Sequence, residues 1–309
     1  MTNQPLKISV VVPLYNKAAY VVEALESVMA QTYEAYEIIV VDDGSTDDSV
    51  NKIAAITGVS IRLIKQANAG VSVARNTGIK AATGDIITFL DADDRYLPGF
   101  LAAIAQLASD FPSASVFATA FHRFTTTSTQ VSAPSSNAAH LHRGLVSNFY
   151  SSWSRSSFFC TDSVGVRTVA LRESNIVFPP GERLGEDQDV WFRLAERFPL
   201  AFDPAVLSEY RVDVADSATR ANHSNSILPC YRRLAQRLQD NTVPIALMHG
   251  ARRLVASHYL NVARAKLSDK DIAGALQLIR HPLARANSLY FLRTATLVFA
   301  AKFKNGLGQ

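Results

Sequence analysis

Cysteine is scarce in this 309-residue chain. Only Cys160 and Cys230 occur, far apart and without C-x-x-C spacing, which excludes a disulfide framework and a thiolate zinc site. Long apolar runs are missing too: nothing approaches the ~20 consecutive apolar residues a membrane span needs. The N-terminus lacks the basic-then-apolar layout of a secretory signal. The expected location is therefore cytoplasmic, either free or peripheral on the cytoplasmic face of the membrane. No G-x-x-x-x-G-K-[ST] loop occurs, which argues against a phosphate-binding NTPase. The first apolar run passes into Pro13-Leu14-Tyr15-Asn16 without a glycine, where a nucleotidyltransferase would carry a glycine-rich basic loop.

What is present is an ordinary globular composition, 48% apolar and 19% charged. At ~100–200 residues per domain the length holds one large domain, or one with an appendage. The net charge of +4 is unevenly spread. From Asn225 onward there are thirteen Lys or Arg against three acids, an excess of ten that leaves the first 224 residues six negative. A division follows: a first domain over 1–224 and a basic α-helical region over 225–309. A basic tail on an acidic body suits an anionic partner such as a membrane surface. Its cations are not interleaved with stacking aromatics, so nucleic acid is not expected.

Along the chain, Ile8 to Val12 is a β-branched run stopped by Pro13, as for a strand buried on both faces. Ala18 to Ala30 repeats apolar residues at helical spacing, Glu37 to Val41 is a second strand, and Ser45 with Asp48 resembles a capping box for a helix through Ile56. A strand over Ser60 to Ile64, a helix over Val71 to Ala82 and a strand over Asp85 to Leu90 continue the alternation. This is the pattern of βαβ units, a mostly parallel sheet with helices on both faces. A helix near Leu97 to Leu107 and a strand over Ser115 to Ala120 follow, then a Ser/Thr-rich loop over Thr125 to Ala139. Between Asn148 and Ser163, Phe149, Tyr150, Trp153, Phe158 and Phe159 either pack in the core or form a stacking wall for a substrate. Ala201–Pro204 and Leu207–Arg211 read as short strands or connectors that close the domain. Four helices then read out over Ile227–Leu238, Ile245–Leu267, Asp271–Ile279 and Asn287–Phe303, with Ser268 or Asp269 as a cap. In the last, Tyr290, Phe291, Thr294, Leu297, Val298 and Ala301 form an apolar face that either docks on the protein or lies at a bilayer surface.

Ligands of such sheets bind beyond the carboxyl ends of the strands. Asn16, Asp42, Asp43, Asp91, Asp93 and Asp94 all fall at such ends. Three carboxylates in Leu90-Asp91-Ala92-Asp93-Asp94 raise one another's pKa unless a cation or strong donors neutralise them. Hard oxygen ligands suit Mg²⁺ or Mn²⁺; a solvated acidic turn before the next helix is the plainer explanation. Glu186 and Asp187 begin a helix, where acids are favoured electrostatically in any case.

Taken together, Val11-Val12-Pro13-Leu14-Tyr15-Asn16, Val40-Val41-Asp42-Asp43-Gly44-Ser45-Thr46-Asp47, Asn68-Ala69-Gly70 with Ala74-Arg75-Asn76-Thr77-Gly78, Leu90-Asp91-Ala92-Asp93-Asp94 and Gly185-Glu186-Asp187 resemble family 2 of the glycosyltransferases. The resemblance covers about Ile8 to Arg211 and implies a GT-A-type, Rossmann-like fold followed by an α-helical C-terminal extension. It implies inverting transfer from a nucleotide-sugar donor to a saccharide or lipid-linked acceptor, in cell-surface polysaccharide or lipid-linked oligosaccharide synthesis. Carried onto this chain, it places Pro13, Tyr15, Asp42 and Asp43 around the nucleoside and Arg75 near the nucleotide. Asp91, Asp93 and Asp94 become the metal motif, with Asp93 also near the ribose, Asp187 the general base, and Glu186 its support. Relatives often have a histidine soon after a Tyr-Arg pair; here Tyr210-Arg211-Val212 is followed by Asp213, with His223 further on, and either could take that place. The alternatives are a sugar nucleotidyltransferase or an inactive nucleotide-sugar-binding protein.

Overall fold

A computed structural model describes residues 5–126, 140–214 and 225–306. It divides into two units, one of residues 1–147 and 156–218, the other of 148–155 and 219–309.

The first unit is built on a nine-stranded mixed sheet. Its parallel half comprises β3 (Ile61–Lys65), β2 (Glu37–Asp42), β1 (Ile8–Leu14) and β4 (Ile86–Phe89), in that spatial order. Beyond β4 lie β8 (Val164–Arg167), β6 (Val116–Phe124), β9 (Leu200–Arg211) and β5 (Arg95–Tyr96), with β7 (Gly144–Leu145) also pairing β9. Helices α1 (Val21–Met29), α2 (Ser49–Ala54), α3 (Val71–Ala81) and α4 (Phe100–Asp110) are the crossovers, and α6 (Thr168–Glu173) and α7 (Glu186–Ala195) follow β8. The central strands are buried throughout except at Glu37, as their β-branched runs require. A core of Val10, Val12, Leu25, Val28, Val40, Phe100, Leu101 and Ile104 joins one sheet face to α1 and α4. On the other face Gly78 of α3 lies so close to Val11 that a Cβ there would sit 2.2 Å from its Cγ1, which is why a glycine interrupts that helix.

Several expected boundaries shift for identifiable reasons. Strand β1 runs through Pro13 to Leu14, with Pro13 in register with Val41. In this ladder Val11 accepts from Leu90 on the β4 side, whereas Leu14 accepts from Asp43 on the β2 side. Pro13 therefore faces the side from which β4 has already departed, and its missing N–H costs no bond. The capping box at Ser45 is not formed. The Ser45 hydroxyl accepts the Asn16 amide instead, and α2 begins at Ser49 without a side-chain cap. The two short strands or connectors expected between Ala201 and Arg211 are one strand, β9, whose register to β6 shifts around Thr119 to Phe121. Most of the Ser/Thr-rich loop, residues 127–139, lies outside the described residues, as does His223.

In the second unit α8 (Pro229–Gln239), α9 (Ile245–Ser268), α10 (Ile272–Ile279) and α11 (Ser288–Gly306) stand within a few residues of their expected bounds. The long α9 is packed by α8, α10 and α11, with Leu260, Ala263, Ala275, Ile279, Ala295 and Val298 at the centre. The cap after α9 is neither Ser268 nor Asp269 but Asp271, whose carboxylate accepts the Gly274 amide at 2.8 Å. The short helix α5 (Phe149–Trp153) packs on α9 at Gly250, where a Cβ would meet Asn148 Oδ1 at 2.7 Å. All five aromatics of the 148–163 stretch are buried, as packing in a core demands.

Candidate active site

The exits of β1 and β2 are laced together before any ligand is considered. Asn16 adopts a left-handed backbone (φ 51°), and its Oδ1 accepts the Thr46 amide at 2.8 Å. Asp42, buried at the end of β2, accepts the Ser45 amide at 2.9 Å in a local turn. Asp43, also buried, spends both oxygens on the β3–α3 loop: Oδ1 takes Gln66 Nε2 (2.7 Å) and the Ala69 amide (2.9 Å), and Oδ2 takes the Gly70 amide (2.8 Å). Gly70, at φ +92°, supplies a conformation a side chain would resist. Pro13 is buried, while Tyr15 stands 47% exposed beside it. These four positions line the end of adjacent strands, as the order β2-β1 requires.

Arg75 is buried among carboxylates. Its side chain is buried on α3, over the Phe178 ring, and divides its donors between Asp91 (2.7 and 2.9 Å) and Glu186 (3.1 Å). Burial alone would lower its pKa, but the Asp91 and Glu186 charges raise it. One guanidinium thus ties α3, the Asp91–Asp94 loop and the first turn of α7. Glu186 is pushed up to about 7, by burial first and then by Asp187. Asp187 is also raised by burial, against the lowering effects of Arg75 and its hydrogen bonds.

Two of the three acids in the Asp91–Asp94 loop converge, and a residue absent from the sequence reading joins them. Ligand oxygens of Asp91, Asp94 and Asp162 lie within 4.8 Å of one another, the one grouping of its kind among the described residues. Asp93, expected with them, is paired instead with Lys17 Nζ at 2.7 Å. Asp94 is buried; its Oδ1 accepts the Arg211 amide at 2.6 Å, no N–H among the described residues reaches Oδ2, and its carboxyl hydrogen-bonds with that of Asp162. Burial, with Asp162 and Asp93 adding repulsion, pushes its pKa well above the carboxylate range. Asp162, buried in the one-turn helix Thr161–Ser163, accepts the Asp91 amide at 2.7 Å and is pushed up to about 7 by burial and the Asp91 charge. A cluster of three carboxyls in which no N–H reaches Asp94 Oδ2 is stable only with a shared proton or a bound cation. It fits a hard divalent cation.

Thr161 and Asp162 join this cluster to the proposed base. The Thr161 hydroxyl donates to Asp187 Oδ2 at 3.3 Å, next to the residue that holds the Asp91 amide. Arg211 closes the other side: its amide reaches Asp94, Nε the Asp93 carbonyl (2.8 Å) and Nη2 the Glu23 carboxylate (2.5 Å). Asp213, considered for the place of a histidine, accepts the Thr126 amide at 2.8 Å and a side-chain hydrogen bond from the same residue; it is not in the three-carboxyl group. Asp162 had little signal in the sequence. It stands alone after a serine- and aromatic-rich stretch, and only its place directly before the buried Val164–Arg167 strand marks it.

Comparisons with known proteins bear on the family and the fold. The family model "Glycosyl transferase family 2" matches residues 9–170. An uncharacterized glycosyltransferase of Escherichia coli (strain K12), YibD, is 46% identical over 110 residues, 35% of this chain and 32% of that protein. An uncharacterized glycosyltransferase of Rickettsia conorii is 31% identical over 210 residues, 67% of this chain and 33% of its own length. The chain thus spans about a third of these curated relatives. Among solved structures, Staphylococcus aureus TarS 1-349 in complex with UDP-GlcNAc superposes with a TM-score of 0.70 at 18% identity, over 97% of this chain and 92% of that one. The mannosyltransferase PcManGT from Pyrobaculum calidifontis, with GDP-Man and Mn2+, gives 0.62 at 18% identity, over 98% and 88%. The shared GT-A-type architecture includes the helical C-terminal region.

Proposed function

The chain belongs to glycosyl transferase family 2, and from that premise we propose that it is an inverting glycosyltransferase moving a sugar from a nucleotide-diphosphate donor to a hydroxyl acceptor. The observation that carries this reading is the division of the acids into two neighbouring sets. Asp91, Asp94 and Asp162 crowd together, while Asp187 stands on α7 and accepts from Thr161, the residue before Asp162. Transfer needs charge stabilised on a departing diphosphate and a proton removed from the incoming hydroxyl, and these two tasks need separate carboxylates. The nucleotide sugars carried by the two structural neighbours support the donor class.

In this reading Asp42, Pro13, Tyr15 and Asp43 border the nucleoside, and Asp93 faces the ribose with Lys17. Asp91, Asp94 and Asp162 would hold Mg²⁺ or Mn²⁺, which when bound supplies Lewis acidity toward the diphosphate. Asp187 takes the acceptor proton, and its raised pKa makes it a stronger base than an exposed aspartate. Glu186 and Arg75 hold Asp187 and Asp91 in relative position. A single displacement assisted by one base inverts the anomeric centre. Residues 1–224 form the catalytic domain and 225–309 a helical adjunct. The acceptor is a saccharide or lipid-linked sugar in cell-surface polysaccharide assembly on the cytoplasmic side of the membrane.

The test is thermal stabilisation by a panel of nucleotide sugars with and without Mn²⁺, followed by transfer assays with the stabilising donor. Asp187→Asn should retain donor stabilisation and lose transfer by about 10²–10⁴-fold. Wild-type turnover in that variant would move the base elsewhere, and no response to any donor would reject the reading.

A further inference from the structure

Among the described residues, the outer face of α11 has no partner within its own unit. Thr294 and Val298 are fully buried and Ala295 nearly so, turned toward Leu260, Ala263, Ala275 and Ile279. On the opposite side Leu289, Leu292, Phe299 and Phe303 are exposed at 61, 62, 54 and 75%. With 3.6 residues per turn, these four fall in one arc together with Thr296 and Ala300. The apolar face expected from the sequence is therefore the inward one in part, and a second apolar stripe lies outside. Single exposed leucines are ordinary, but a contiguous stripe two leucines and two phenylalanines long marks a contact surface.

Charge identifies what covers it. After Asp271 the sequence contains Arg280, Arg285, Arg293, Lys302 and Lys304 and not one acid; Arg285, Arg293 and Lys302 are exposed. A second copy of the chain meeting this face about a two-fold axis would bring these cations against themselves, with no local carboxylate to offset them. An anionic lipid surface offsets them all. No helix is long and apolar enough to cross a membrane among the described residues, so the helix lies along the surface.

We propose that α11 is an interfacial helix, with Leu289, Leu292, Phe299 and Phe303 set into the headgroup–acyl boundary of an anionic bilayer and Arg293 and Lys302 against its phosphates. The inference stands on the second unit alone, so its failure leaves the transfer reading untouched.

Flotation of the full chain with vesicles of phosphatidylcholine, and of phosphatidylcholine mixed with phosphatidylglycerol, tests it. Wild type should float with the anionic vesicles and far less with the neutral ones. Leu292→Ser/Phe299→Ser/Phe303→Ser, which removes only exposed side chains, should reduce binding at least about tenfold. Arg293→Gln/Lys302→Gln should weaken binding to anionic vesicles about fivefold per cation, and added salt should do the same. Thermal melts identify any variant that fails to fold. Unchanged flotation of the triple variant overturns the proposal. So does a wild-type dimer in sedimentation that ignores vesicles and becomes a monomer in the triple variant, which would assign the face to a second copy.

Discussion

Arg75 and Asp91 form a two-oxygen ion pair, with Nη2 2.7 Å from Oδ1 and 2.9 Å from Oδ2, and the arginine side chain is only 4% exposed. The pair spans α3 and the acidic loop, and Nη1 continues to Glu186. Removing the cation leaves two carboxylates near one another without compensation, and such a loss costs about 3 kcal/mol or more. Arg75→Met should therefore lower the urea midpoint strongly while keeping the side chain's volume. Arg75→Lys should recover only part, because an ammonium cannot span both acids with a planar fork. A midpoint within error of wild type for Arg75→Met would show that the clamp is not structural.

Asp162 supplies the third carboxyl beside Asp91 and Asp94. With Asp162→Asn one like charge is gone, yet the amide oxygen can still accept from the Asp91 N–H. The variant should thus melt no lower than wild type in chelator. Wild type should gain about 2.7 kcal/mol at a Mn²⁺ concentration a hundredfold above its dissociation constant, and Asp162→Asn should gain much less at that concentration. Equal Mn²⁺ stabilisation of both proteins would place the cation away from Asp162.

Glu186 has its pKa raised from 4.5 to about 7, mainly by burial. Between those values the folded chain keeps a proton that the unfolded chain has released. Stability contributed by this group is therefore full below pH 4.5, falls as pH rises across the window, and levels off above about 7. The slope from one such group is at most about 1.4 kcal/mol per pH unit. Urea titrations of wild type and Glu186→Gln in chelator should show a shallower decline in the variant. Parallel profiles would mean that Glu186 titrates normally.

Asp43 separates a structural from a ligand-facing role. Its three accepted bonds all come from the Gln66–Gly70 segment, so Asp43→Ala should cost about 1–3 kcal/mol by orphaning buried donors. Donor affinity should then change less than stability. A variant of normal stability that no longer responds to nucleotide sugars would reverse the assignment.

Periodicity made much of this fold readable. The runs at Ile8, Glu37 and Ile86 had to be buried strands, and the helical stripes of the second unit set α8 to α11 within a few residues. The misses share a cause: a side chain's partner came from far along the chain. Ser45 looked like a cap because its competitor, the Asn16 amide, is 29 residues away. The Lys17 partner of Asp93, 76 residues away, carried no pattern. Asp162 carried none either, since a lone acid gains meaning only when the sheet order β4-β8 brings its turn beside Asp91.

The link from Thr161 to Asp187 is the one whose loss should appear in rate and not in stability. The hydroxyl is one of two hydrogen bonds that lower the Asp187 pKa against its burial, the other coming from the Gln188 amide. Thr161→Val keeps the shape and deletes the donor. Asp187 should then be harder to ionise, so the acidic limb of the kcat profile should move to higher pH, with KM for the donor little changed. At a pH above both limbs the variant should approach wild-type turnover, because the base is again fully ionised. A uniform loss of kcat across the whole pH range would instead mean that Thr161 orients Asp187 without tuning it, and an unchanged profile would remove Thr161 from the proton-transfer chain.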